Sequence, residues 1–141
     1  MAHLSNFGVG NFRAFKDTYN FEFAPITVLT GTNSSGKSSL IKALLLLKES
    51  IKDVGDSNSS RWIEWSMKSL MQLKFNPSLH LGNFDTVKNY TNSSDEVIFE
   101  LPFRLPSCKE LLKLKLSYIN DQMEKNNGAL FSMQLINPVN Q

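Results

Sequence analysis

Hydrophobic and polar positions alternate towards both ends of the chain and follow a helical period between them. In Leu4–Phe15 the apolar residues recur at alternate or near-alternate positions with Gly8 and Gly10 interrupting, which predicts a strand with an irregularity. Lys16-Asp17-Thr18 is polar, Tyr19–Phe23 alternates aromatic and polar side chains, and Pro25 closes that run, so a second strand is expected there. Ile26–Leu29 follows as a short β-branched strand, then Thr30–Lys37 as a loop of small residues. From Ser38 to about Lys52, Leu40, Ile41, Ala43, Leu44 and Leu47 fall on one broad helical face. Leu45 and Leu46 widen that face, so the helix should be buried on more than one side.

Asp53–Ser60 is a polar breaker and reads as an exposed loop. The apolar spacing of Trp62, Ile63, Trp65, Met67, Leu70, Met71 and Leu73 predicts a second, shorter helix over Arg61–Lys74. Leu79–Tyr90 is loop-like. Alternation then returns: Val97–Phe103, Leu112–Ile119 and Ala129–Ile136 predict three strands, with Asn126-Asn127-Gly128 as the hairpin turn between the last two.

Composition narrows the class without changing this picture. The 141 residues suffice for one domain, and 41% hydrophobic with 20% charged residues is a globular balance. A net charge of +2 gives no bulk electrostatic case for nucleic acid or an anionic membrane. Cys108 is the sole cysteine and, with His3 and His80 far apart, forms neither a disulfide nor a metal-ligand spacing. The longest apolar run, Leu40–Leu47, includes Lys42 and falls short of the roughly 20 residues that cross a bilayer. Met1–Gly10 lacks the basic start and apolar run of a secretory signal, so a cytoplasmic location with no membrane partner is expected.

The chemistry lies in Gly31-Thr32-Asn33-Ser34-Ser35-Gly36-Lys37-Ser38, which matches G-x-x-x-x-G-K-[ST], the Walker A pattern, between a predicted strand and a predicted helix. A polyphosphate needs several donors converging on it without obstruction. Successive N–H groups from Ser34 to Ser39 can supply them, while Gly31 and Gly36 permit the turn and the close approach. The following helix adds its positive end. Lys37 can reach the β and γ phosphates as a point charge and is the candidate catalytic residue; the Ser38 hydroxyl can be one ligand of Mg²⁺. The implied ligand is ATP with Mg²⁺.

Three stretches together carry a resemblance: Asn11-Phe12-Arg13-Ala14-Phe15-Lys16, Pro25-Ile26-Thr27-Val28-Leu29-Thr30-Gly31, and Asn33-Ser34-Ser35-Gly36-Lys37-Ser38-Ser39-Leu40 with Ala43–Leu47 behind it. They resemble the amino-terminal lobe of ABC-type P-loop ATPases of the RecF, SMC and OLD branch. Ser34 stands where Gly is commonest, as in OLD-like and related bacterial AAA-type ATPases. Leu81-Gly82-Asn83-Phe84-Asp85 is similar to the segment after the first helix in that subgroup. The resemblance implies an α/β fold of α+β character, a P-loop core with a flanking antiparallel sheet. Residues 1–141 would be the amino-terminal part of one ABC-type head: 1–52 strands, P-loop and first helix, 53–95 a helical and loop insertion, 96–141 antiparallel strands. It also implies Arg13 near the nucleotide and Asn33 ordering the loop. A solvated strand position is the alternative for Arg13, and core packing rather than adenine stacking is expected of Phe12 and Phe15.

Such an ATPase also needs an apolar strand ending in Asp-Glu and a Leu-Ser-Gly-Gly-like signature. Asp95-Glu96 precedes its apolar run instead of following it, no such signature occurs, and Gln72 lies in a helix-like stretch. The chain is therefore expected to be half of the machinery, a piece of a longer protein or a small subunit that borrows catalytic groups. Its expected partners are the remaining ATPase lobe or a partner subunit, a second copy through ATP-bound heads, and DNA or a nuclease effector. The competing readings are a small P-loop kinase or GTPase and a nucleotide-binding module without turnover. Only Arg13, Arg61 and Arg104 are available for a kinase lid, and no Asn-Lys-x-Asp motif reads guanine.

Overall fold

The computed structural model describes residues 4–33, 35–52, 70–104 and 109–137. Six strands make one sheet: β1 Asn6–Gly10, β2 Tyr19–Glu22, β3 Gln72–Leu73, β4 Val97–Phe103, β5 Leu112–Asn120 and β6 Gly128–Ile136. Their order is β2-β1-β4-β5-β6-β3, and every pairing is antiparallel. Among the described residues the sheet is accompanied by α1 Lys37–Lys52 and the single turn α2 Phe84–Val87, so the fold is mixed α/β.

The period of two in the sequence sets the register. Val9 faces Phe99, Phe99 faces Leu116 and Leu116 faces Met133, which lines apolar side chains up on one face across four strands. Glu100 and Lys115, opposite each other one residue along, take the other face. A bulge between Ser117 and Tyr118 shifts β6 by one place, yet Tyr118 remains in the core. Phe99 is the hub: its ring lies 5.9 Å from that of Phe7, 6.1 Å from Phe12 and 6.0 Å from Tyr118. The Tyr118 hydroxyl donates to the Leu70 carbonyl at 3.0 Å, and burial pushes its pKa well up. From α1, Leu40, Ala43, Leu46 and Leu47 enter the same core. The helix is fastened at its far end by Ser50, whose hydroxyl donates to the Leu46 carbonyl at 2.8 Å and accepts from the Lys74 N–H at 3.0 Å.

Five sequence expectations need correction. Ile26–Leu29 is not a strand: Ile26 and Val28 are 87% and 78% exposed, and the Thr27 hydroxyl merely closes a local turn on Ala24 at 3.0 and 3.1 Å. A β-branched run becomes a strand only where a neighbour offers backbone partners and a packing surface, and no described strand lies beside this one. The described sheet accordingly contains no parallel P-loop core. Second, α1 buries one face only, since Ile41 and Leu45 are exposed. Third, the predicted helix over Arg61–Lys74 does not reach Lys74: Leu70 is helical, but Gln72–Leu73 is strand β3; Arg61–Ser69, like Asp53–Ser60, lies outside the described residues. Fourth, Asn126-Asn127-Gly128 is the end of a longer loop, closed by Asn127 N–H to the Glu124 carbonyl at 2.8 Å and Asp121 N–H to the Asn127 carbonyl at 3.0 Å. Leu79–Tyr90 is also more ordered than a loop. Asn83 caps α2 reciprocally with Thr86, and Phe84 is fully buried beneath Gly128, where an added Cβ would stand 2.6 Å from its ring.

Candidate functional site around Gly31–Ser39

The loop before α1 depends on two glycines. Gly31 and Gly36 have φ of 138° and 88°, a region that side chains disfavour. At Gly36 a Cβ would also stand 2.9 Å from the Phe15 ring. The Ser35 N–H and hydroxyl both donate to the Thr32 carbonyl, at 3.1 and 2.8 Å, and the Leu40 N–H donates to Gly36 at 2.9 Å, opening the helix. Ser35 thus uses its own N–H within the loop, which trims the row of donors expected from Ser34 to Ser39. Lys37, Ser38 and Ser39 open α1, so their N–H groups have no acceptor within the helix. No acidic residue occupies this first turn to offset its positive end.

Lys37 folds back over the loop. Its Nζ donates to the carbonyls of Gly31 and Thr32, both at 2.5 Å, and to the Ser35 hydroxyl at 3.3 Å. Three oxygens therefore surround the ammonium where an anion could take their place. The donor set suits a polyphosphate: one cation, free helix N–H groups and a backbone without side chains at both glycines. Ser38 is exposed and Ser39 buried. Asn33 is exposed beside the turn, and Ser34 lies outside the described residues.

Arg13 belongs to a second structure that abuts this loop. Phe12 and Phe15 exchange both backbone hydrogen bonds at 2.9 Å, so residues 12–15 form a tight turn. Asn11 and Arg13 take left-handed backbone angles, φ 50° and 47°, to make it. Phe12 and Phe15 are buried in the core, and Phe15 and Ala14 line the space beside Gly36. Arg13 itself is half-buried, one residue from Ala14 in the same turn.

The carboxylates of Asp85, Asp95 and Glu96 are each engaged by other partners. Asp85 accepts from Asn120 Nδ2 at 2.7 Å and pairs with Lys88 at 3.1 Å; Asp95 pairs with Lys88 at 3.0 Å. Partial burial works against the charge on Lys88, yet the two carboxylates outweigh it and raise its pKa. Glu96 accepts from the Ser117 hydroxyl at 2.5 Å. Gln72, on edge strand β3, donates to Asp121 at 2.8 Å. Among the described residues no three His, Cys, Asp or Glu side chains converge on a metal-sized site, and no helix is long and apolar enough to cross a membrane.

The model of the AAA ATPase domain family matches residues 3–135. The chain belongs to that family. No curated protein and no solved structure matches it. For this AAA ATPase domain, membership brings nucleotide binding and ATPase function, and the match spans the glycine loop, α1 and the strands through β6. Two residues to which the sequence assigned no role, Asn11 (present only as the start of the Asn11–Lys16 stretch) and Asn89, tie the Arg13 turn of the AAA ATPase domain to the segment after α2. Their one advance signal is that Asn tolerates left-handed backbone, a weak cue at Asn11 and none at Asn89.

Proposed function

We propose that this AAA ATPase domain is the ATP-binding lobe of an ABC-type, OLD-like ATPase, with Gly31–Ser39 as its P-loop. The observation that carries the reading is the placement of the Lys37 ammonium among three loop oxygens at the open end of a sixteen-residue helix. Lys37, the helix N–H groups and Arg13 would hold the polyphosphate, and Ser38 would take part in Mg²⁺ coordination. Mg²⁺, when bound, supplies charge neutralisation for phosphoryl transfer. The chain's own residues fix the polyphosphate and draw negative charge towards Lys37. Among the described residues Asp85, Asp95 and Glu96 are each held by other partners, so none of these three would orient water. The water-orienting carboxylate and the signature motif would come from outside the described residues, in the remaining lobe or a partner subunit. ATP-dependent engagement of two heads would then act on DNA or an effector.

Titration calorimetry tests the assignment. Lys37→Ala should weaken Mg-ATP binding on the order of a hundredfold or more, the scale of a lost charge-assisted pairing to an anion with several contacts. Ser38→Ala should weaken binding with Mg²⁺ much more than binding in EDTA. Equal affinity of wild type and Lys37→Ala would refute the P-loop reading, and an equal loss at Ser38 with and without metal would reduce that residue to a helix start. Steady-state phosphate release by the chain alone should stay at background.

A further inference from the structure

Arg13 is held from one side by a single short stretch of chain. Its N–H donates to the Val87 carbonyl at 2.6 Å, and its carbonyl accepts from Asn89 Nδ2 at 2.6 Å. Asn89 also uses its own N–H, which donates to Asn11 Oδ1 at 3.1 Å. The Asn11 amide then donates to the carbonyls of Ser94 and Glu96 at 2.7 and 2.9 Å. Both left-handed residues of the turn, Asn11 and Arg13, are thus bonded to the segment between α2 and β4. Such backbone persists only where its surroundings over-determine it, and here Asn89 makes the connection to both. On its other side the turn presses Phe15 and Ala14 against Gly36, the residue before Lys37. Asn89 itself is buried, and its Oδ1 is occupied by the Thr91 N–H at 3.0 Å and the Thr91 hydroxyl at 2.6 Å. With the acceptor fixed in this way, the amide NH₂ is aimed at Arg13.

We propose that Asn89 is a positioning residue for the bound nucleotide: it sets the Arg13 turn against the P-loop so that the guanidinium meets the polyphosphate. The inference rests on the P-loop reading above. It makes the segment after α2 part of the nucleotide site although no atom of Asn89 need touch the ligand. Loss of the Asn89 amide frees the Arg13 carbonyl, lets the turn relax out of its left-handed form and moves the guanidinium away.

The test is a double-mutant cycle read by titration calorimetry with Mg-ATP, with thermal melts alongside, on wild type, Arg13→Ala, Asn89→Ala and the double variant. Each single change should weaken binding on the order of tenfold, the scale of one or two lost hydrogen bonds to a charged ligand. The double variant should bind no more weakly than Arg13→Ala, because Asn89 acts through Arg13. Wild-type affinity in Asn89→Ala, or independent losses that multiply in the double variant, would overturn the inference. Should Asn89→Ala not fold, Asn89→Asp keeps both acceptor contacts to Thr91 and replaces the donor to Arg13 with a carboxylate oxygen that repels the Arg13 carbonyl. It should show the same loss, and wild-type binding by Asn89→Asp would equally overturn the proposal. The two readings fail separately. Absent binding by wild type, or binding indifferent to Lys37→Ala, removes the P-loop assignment and this inference with it. Binding that needs Lys37 but ignores Asn89 removes the inference alone.

Discussion

Val97 and Phe99 in β4 are completely buried, whereas Ile26 and Val28, of similar character and in the same alternation, stand 87% and 78% exposed. β4 runs between β1 and β5, which take up its backbone groups, and its apolar side chains join the core to which α1 contributes. Ile26–Leu29 has no such neighbours among the described residues. Residue type and spacing are the same in both regions; the supply of partners is not. The sheet is therefore the part of the molecule that holds itself together, and the segment leading into the glycine loop contributes little to the fold while remaining free for whatever it meets.

The largest test of that contrast is a pair of truncations. Phe99→Ala removes the ring that touches three other aromatic side chains and should cost about 3–5 kcal/mol in urea unfolding, the range for a buried aromatic truncation. Ile26→Ala should change stability by no more than about 0.5 kcal/mol. A comparable loss at both positions would erase the distinction between the two regions.

A second test addresses the place where the regions touch. Gly36 combines a left-handed φ of 88° with the nearby Phe15 ring, which itself packs on Tyr19 and Phe21 at 5.7 and 5.5 Å. Gly36→Ala should destabilise the protein by about 1–3 kcal/mol and weaken Mg-ATP binding together, because the strain is shared by core and loop. Loss of binding with an unchanged melting temperature would place the loop outside the cooperative unit.

The smallest effect lies at the far edge of the sheet. The Asp121 carboxylate accepts from Gln72 Nε2 at 2.8 Å and from the N–H groups of Met123 and Glu124 at 2.8 and 3.2 Å, and these bonds lower its pKa. A carboxyl with a depressed folded-state pKa adds stability above its unfolded pKa and loses it as the pH falls through the folded value. Wild type should therefore lose slightly more stability than Asp121→Asn between about pH 6 and about pH 3. An equal loss in both would mean that the Asp121 charge adds nothing to the contact between the β5–β6 loop and β3.

These contrasts mark what was readable in advance. Val97–Phe103, Leu112–Ile119 and Ala129–Ile136 are strands as their alternation predicts, because a period of two meets a partner on each side or close to it. The helix after the glycine loop was legible for a different reason: Gly36 ends an irregular turn and the leucines that follow share a face. Ile26–Leu29 was misread because propensity reports what a residue tolerates, and pairing depends on a distant strand. Likewise Gln72–Leu73 pairs with Gly128 and Ala129 far along the chain, which no local window contains. The site was legible as a motif and not as an assembly. The spacing of Gly31, Gly36 and Lys37 indicates the loop, whereas the support of Arg13 by Val87 and Asn89 spans more than seventy positions in sequence.

Lys37 has one further consequence. Its ammonium already has oxygen partners in the Gly31 and Thr32 carbonyls, so an incoming anion replaces hydrogen bonds rather than adding them. The gain on binding is then the difference between facing peptide dipoles and facing full negative charges. Dipoles respond weakly to dissolved ions, while charge–charge attraction is screened over about 10 Å at 0.1 M ionic strength. Added salt should thus erode the affinity of the loop for nucleotide while leaving the empty loop closed, and the ionic milieu would govern occupancy independently of folding.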